Sequence, residues 1–467
     1  MAAGSAGGHA PLTASSLDRR LGSFDAAAII VSNVIGSGIF ITPALIAMLV
    51  PDARAMVGVW IAGGLIAFGG AMAYAELAAL RPRAGGEYVY LREAFGPVMA
   101  FLTGWTSFVA GFSGAIAASA VGFATYLGRF VPAAANTTPL TSVSLGPVHL
   151  HVSMQSLFAI GAIAALSLVH IRGVGPGRIM QNILAAAKVT ALLLFIGLGF
   201  TAGEGDFSHL AAGGEANAVG WVLALVPVMF SYSGWNAATY VAEEVRDPSR
   251  FVPRALALGT GAVVLVYVLL NLLYVYSMPV SELAQLRGSV VDVIADRLLG
   301  PAAGSLLAIM TIVSIAASVS AMTFAGPRVY YAMARDGAFF AAAARVHPRY
   351  RTPAISIMAQ AVWSAVLVLT GSFAQLIEYT GFAVVLFSGI AGVALFVLRR
   401  RAADEPRPFK AWGYPYVPAL FVGASALIVM NALWRSPGPS LSGAAIIAAG
   451  LPLYAWLAYR RRPSDRH

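Results

Sequence analysis

The sequence predicts an all-α polytopic membrane protein with twelve transmembrane helices. Three observations carry that prediction: apolar blocks long enough to cross a bilayer, a one-sided distribution of Lys and Arg between successive loops, and an internal repeat. Of the 467 residues 59% are hydrophobic and only 11% are charged, whereas soluble domains carry about a quarter charged residues. A soluble class is therefore excluded. The chain has no cysteine, which excludes disulfides, thiolate metal sites and a covalent tether to a partner chain. The first apolar block begins near Phe24 and is too long, and too polar at its centre, to read as a cleaved signal.

About 20 apolar residues suffice for one span. Candidate spans lie at 24–50, 57–80, 97–130, 151–172, 178–201 and 219–242 in the first half, and at 252–277, 303–336, 353–371, 376–400, 415–434 and 441–460 in the second. The expected organisation is a tail at 1–22, a first block of five spans at 23–201, a second block of five at 219–400, two further spans at 415–461 and a tail at 462–467. Twelve spans place both termini on one side. Cytoplasmic loops collect Lys and Arg, and 24 of the 30 basic residues fall in the tails and in the loops after the even-numbered spans. Both termini are accordingly expected in the cytoplasm. The net charge of +10 then reflects topology, with contacts to anionic lipid headgroups as a further use. No nucleic-acid site is read into it, because the arginines sit at helix ends without a separate basic domain.

The repeat appears in "YVYLREAFGPVMAFL" (88–102) and "DVIADRLLGPAAGSL" (292–306), each an amphipathic segment followed by Gly-Pro and a long span. Their offset is 204 residues; Gly36 to Gly234, and the starts of the fifth and tenth spans, are each offset by 198. Five spans separate the copies, so their membrane orientations are opposite, as in secondary transporters built from inverted repeats.

The first span of each block carries a weakened centre, "IGSGIF" in span 1 and "MFSYSGWN" in span 6. Glycine inside a helix costs about 1 kcal/mol against alanine and frees the backbone to unwind. Irregular backbone at membrane depth is tolerated where it lines a cavity. Unwinding here would aim the amides of Gly38, Ile39 and Phe40 into the gap, with the carbonyls that end the preceding half-helices, among them those of Phe230 and Ser231, pointing in from other sides. A half-helix N-terminus favours an anion and a C-terminus a cation, so an α-amino acid is the simplest ligand that satisfies both. The competing reading of Gly36, Ser37 and Gly38 is a small-residue stripe that lets helices pack closely.

The motifs "IVSNVIGSGIFITP", "AYAELAALRPRAGGEYVYLREAFG", "FATYLGRFVP", "MFSYSGWNAATYVAEEVRDP" and "YTGFAVVLFSGIAGVALFVLR" resemble the L-type amino acid transporter branch of the amino acid, polyamine and organocation superfamily, in a bacterial member. The resemblance runs from span 1 to span 12 and is weakest at the C-terminal end. It implies a five-plus-five inverted-repeat fold with helices 1 and 6 unwound in mid-membrane, and sodium-independent exchange of neutral L-amino acids across the plasma (inner) membrane. It further implies that Gly36, Ser37, Gly38 and Ile39 hold the substrate carboxylate, with Ile35 beside them in the substrate site, that Phe230 closes over the substrate as a gate, and that Ser231, Ser233, Gly234 and Trp235 line the second break.

Lys188 lies ten residues into span 5, about 15 Å deep at 1.5 Å per residue, and a mid-membrane lysine requires partners. Freed carbonyls near the span 1 break are the expected ones. In the resembled branch a lysine of span 5 occupies the position that a sodium ion takes in sodium-coupled relatives, beside a hydroxyl of span 8 that is Ser318 here. Proton coupling through Lys188 is the alternative to exchange. Glu76, Glu243 and Glu244 are read as helix-end ion pairs or gate contacts. Eukaryotic members link to a single-span glycoprotein through a cysteine in the loop after span 3; that loop, 131–150, has none, so the chain is expected to work alone, as a monomer. No cofactor and no metal site are expected. A channel would show charged pore rings, and a membrane enzyme a nucleophile or an acid/base pair in the core; neither pattern is present, and small or medium neutral amino acids are the expected substrates.

Overall fold

The computed structural model describes residues 17–460 apart from 37, 146–147, 212–213, 215–216, 288 and 371–372. The first half contains α1 (Ser23–Val34), α2 (Gly38–Leu49), α3 (Ala53–Leu80), α4 (Glu87–Phe95), α5 (Pro97–Thr106), α6 (Phe112–Leu127), α7 (Met154–Ile171), α8 (Val174–Thr201), α9 (Ala218–Ser231) and α10 (Ala237–Tyr240). The second contains α11 (Pro248–Ser277), α12 (Val280–Leu283), α13 (Val290–Leu299), α14 (Pro301–Ala325), α15 (Pro327–Arg335), α16 (Ala354–Leu369), α17 (Phe373–Arg401), α18 (Tyr416–Arg435), α19 (Pro437–Ala448) and α20 (Gly450–Arg460). A π-helical turn, Ser107–Gly111, joins α5 to α6.

Among the described residues nine helices are long and apolar enough to cross a membrane, and α1 with α2, bent by 49°, makes a tenth candidate. The chain is therefore a multi-pass membrane protein. The sequence count of twelve differs because α9 and α16 are apolar but only 14 and 16 residues long. The first stops short at Ser231, and the second begins only at Ala354, after Pro353.

Side chains fix several helix starts. Asp52 accepts from the Ala55 amide at 2.7 Å, Asn217 from Gly220 at 2.6 Å, and Ser153 and Ser156 cap one another's amides, each satisfying a donor that the first helical turn cannot. The two Gly-Pro sites adopt the same backbone, Gly96 at φ 91° and ψ −179° and Gly300 at φ 87° and ψ 170°, each between a short helix and the start of a long apolar span, Pro97–Leu127 and Pro301–Arg335.

At the centre of the bundle α11 packs along α1 and α3, α14 touches α1, α6 and α8, and α17 lies against α4 and α18. The loop expected at 131–150 instead folds in part into an antiparallel hairpin, β1 (Pro139–Leu145) with β2 (Val148–Ser153), in register Ser142 to His151. The arginine-rich end is tied by ion pairs. Glu244 and Arg328 are both fully buried and paired at 2.7 and 3.1 Å, and Glu76 accepts from Arg399, Arg407 and the Ala411 amide. The Leu21 amide donates to Glu244 O at 3.0 Å, which joins the segment before α1 to the end of the α10 region.

Candidate functional site

Two interruptions of helix face one another. The first separates α1 from α2 at Ile35 and Gly36, with Ser37 outside the described residues; the second separates α9 from α10 at 232–236. Gly234 adopts φ 99°, a region costly to any residue with a Cβ. A side chain there would also begin 2.5 Å from Asn33 Nδ2. Asn33 uses that nitrogen to donate to Gly234 O at 3.1 Å, so the last turn of α1 holds the second break. Gly38 meets Ser231 closely, its would-be Cβ lying 3.1 Å from Ser231 Cα, and the hydroxyls of Thr42 and Ser231 are 2.8 Å apart. Tyr267, fully buried on α11, directs its hydroxyl to Val34 O at 2.9 Å and Ser231 O at 3.1 Å, so one proton is shared between the carbonyl ends of α1 and α9.

The carbonyls of the first break are taken up from the other side. Lys188, 1% exposed, donates from Nζ to Ser32 O at 3.0 Å and to Ile35 O. Ser318 donates to Ser32 O at 2.8 Å, and Ser314 to Ile35 O at 3.0 Å. Three donors from α8 and α14 thus satisfy two carbonyls that the end of α1 leaves without helical partners, as buried backbone requires.

Between the breaks lies an open cavity with a volume of about 190 Å³. Gly36, Gly38, Phe230, Ser231, Ser233, Gly234 and Ser318 line it, together with polar groups of α5, α6 and the π-turn, such as Thr103, Ser107 and Ser119. Phe230 is 38% exposed, and a Cβ on Gly381 of α17 would lie 3.8 Å from its ring. Three of the residues singled out from the sequence do not line the cavity. Ile35 and Ile39 are fully buried in the apolar core, and Trp235 packs edge-on against Tyr74 and Phe421 at 4.8 and 5.4 Å. Lys188 also stands off the main cavity, behind the first break, where it borders a small void with Phe40 and Leu192.

Residues 21–457 match the amino acid permease family. The chain belongs to that family. It is 28% identical to b(0,+)-type amino acid transporter 1 of Mus musculus, covering 98% of this chain and 93% of that protein. With Large neutral amino acids transporter small subunit 2 of the same species it shares 30% identity over 94% of this chain and 81% of the relative. Serine/threonine exchanger SteT of Bacillus subtilis (strain 168) is 26% identical over 95% and 98%.

This permease carries site groups that its sequence did not single out. Tyr267 reads as one more aromatic of an apolar helix, and Asn33 as an isolated polar residue; only their contacts reveal them. Asn236 is the last residue of the second break and donates to Glu87 Oε1 at 2.8 Å. Glu87 is placed by Gly85 and Gly86, which leave no room for side chains: one on Gly85 would begin 2.7 Å from Ala332 Cβ and one on Gly86 2.6 Å from the Tyr240 ring. Glu87 opens α4, outside the long apolar spans. Burial pushes its carboxyl above the usual range, while hydrogen bonds from Tyr74, Ser388 and Asn236 pull it down. At the arginine-rich end Asp336 behaves oppositely: burial raises it, but Arg92 and Arg83 hold its carboxyl below the ordinary value.

Proposed function

We propose that this chain exchanges neutral L-amino acids across the plasma (inner) membrane by alternating access, without sodium. It acts as a monomeric transporter with no linked heavy chain, and not as an enzyme. The observation that carries this reading is the cavity bounded by two facing helix breaks. The α2 N-terminus at Gly38, with the Gly36 backbone, is assigned the substrate carboxylate, and the carbonyl end of α9 with Ser231, Ser233 and Gly234 the ammonium. Phe230 is assigned the closing aromatic. Ile35 contributes its backbone carbonyl, and Ile39 and Trp235 support the two breaks from behind.

Lys188 and Ser318 are assigned a fixed positive charge in place of a sodium ion. Support comes from the convergence of Nζ and the two serine hydroxyls on Ser32 O and Ile35 O, where a bound cation would find its oxygens. Counting α9 with α10 as one span and α16 as another gives twelve spans, arranged as two inverted blocks at 23–201 and 219–400 with 415–461 appended. The matching Gly96-Pro97 and Gly300-Pro301 backbones favour the repeat, and the Arg-rich ends favour cytoplasmic termini. The relatives named for amino acids and for serine/threonine exchange favour the substrate class.

Counterflow in proteoliposomes tests the reading. Labelled L-serine should enter only vesicles preloaded with a neutral amino acid, irrespective of sodium. Net accumulation driven by an acid-outside gradient into unloaded vesicles would replace exchange with proton symport.

A further inference from the structure

Three carboxylates are buried among the described residues, and their surroundings differ in kind. Glu76 faces Arg399 and Arg407, and Glu244 faces Arg328. Glu87, 5% exposed, is reached by no ion pair among the described residues. Its partners are neutral: Tyr74 donates at 2.7 Å, Asn236 at 2.8 Å and Ser388 at 3.0 Å, all to Oε1. Among the described residues lining the cavity it is also the only carboxylic acid or base. A buried carboxylate without a counter-ion is held at a cost that a positive charge from the adjoining water relieves.

The donors come from three separate elements. Tyr74 belongs to α3, Asn236 immediately precedes α10, and Ser388 belongs to α17, while Tyr74 also reaches Ser388 O at 3.2 Å. The titratable groups around the carboxyl are Tyr74 from α3, Tyr90 from α4 itself and Tyr240 from α10; phenols are ordinarily neutral at physiological pH. Hydrogen bonds to an ionised acceptor are about twice as strong as neutral ones. The charge on Glu87 therefore governs how firmly α3, α10 and α17 are held to α4, next to the second break.

We propose that Glu87 is the proton-binding residue of the cavity, and that its protonation loosens the junction of α3, α4, α10 and α17 and so makes transport pH-dependent. A hydronium ion of the cavity water loses one O–H bond as the Glu87 carboxylate gains one, leaving a neutral carboxylic acid and water, and release to water reverses the transfer. The inference rests on the exchange reading above.

The test is initial-rate exchange of labelled L-serine by preloaded proteoliposomes, with equal pH on both sides, stepped from about pH 5 to about pH 8. Wild-type exchange should change with pH by about fivefold, reflecting the lost charge assistance. E87Q should be flat and should match the acid limb of the wild type; E87D, which keeps a carboxyl, should retain a profile with a displaced midpoint. A flat wild type, or an E87Q profile that still follows the wild type, overturns the assignment. So does a flat profile in which L-ornithine competes against the wild type and not against E87Q, because the positive charge is then the substrate's own. Absence of exchange by the wild type at every pH overturns the exchange reading itself.

Discussion

The two breaks use the same small residues, but they are held in different ways. At the first, the Lys188 amine and two serines from α8 and α14 cap the carbonyls of Ser32 and Ile35, and that side of the break is filled. At the second, neutral groups hold the backbone: Tyr267 at Ser231 O and Asn33 at Gly234 O, with Asn236 tied to Glu87. Phe230, Ser233 and Gly234 meanwhile remain at the cavity surface. With the fixed charge proposed for Lys188 on one break and, on the other, neutral donors to the backbone beside the single Asn236–Glu87 contact, the first is proposed as the rigid half and the second as the adaptable half. The adaptable half carries the proposed gate.

This contrast can be broken at either end. Lys188→Ala leaves Ser32 O and Ile35 O with only serine donors and opens a void beside Phe40; exchange should fall by about a hundredfold or more, on the scale of losing a buried charge-assisted hydrogen bond. Near-normal counterflow in a correctly inserted K188A protein would remove the distinction between the halves. Gly234→Ala forces a Cβ into a left-handed conformation and against Asn33, and should lower exchange about tenfold. Tyr267→Phe removes the single donor shared by Val34 O and Ser231 O. Val34 O keeps the Gly36 amide at 2.8 Å, so thermal unfolding of the detergent-solubilised protein should show a loss of about 1–3 kcal/mol, chiefly for the carbonyl of Ser231. Ser318→Ala should have the smallest effect, a few-fold loss of exchange at most, since Lys188 still reaches Ser32 O and both Lys188 and Ser314 still reach Ile35 O. An S318A defect as large as that of K188A would mean that the hydroxyl, and not the charge, anchors the first break.

Much of this arrangement is legible in the sequence because bilayers impose sharp rules. Apolar blocks and arginine placement mark the spans, and Gly36-Ser37-Gly38 and Ser233-Gly234 mark the breaks by propensity alone. Lys188 stands out because a mid-membrane charge has so few ways to be satisfied. What pattern does not encode is tertiary proximity. Tyr267 looks like ordinary packing until its hydroxyl is seen between two helix ends. Glu87 sits in a motif that marks the family, but its lack of a cationic partner among the described residues emerges only when α3, α10 and α17 converge on it. Trp235 shows the reverse limit: proximity to a break in sequence says nothing about which way a ring turns, and this one turns into the core between Tyr74 and Phe421. The hairpin at 139–153 alternates polar and apolar residues with period two, as in Val148 to Val152, yet its shortness and its Ser-rich composition read equally well as loop.

A density map of the protein in nanodiscs with a bound neutral amino acid would show whether the two breaks form the substrate site. The carboxylate should lie against the backbone at Gly36 and Gly38, and the ammonium against the carbonyl end of α9 near Ser231 and Ser233. An amino acid bound elsewhere, or helices continuous through residues 35–37 and 232–236, would contradict that placement.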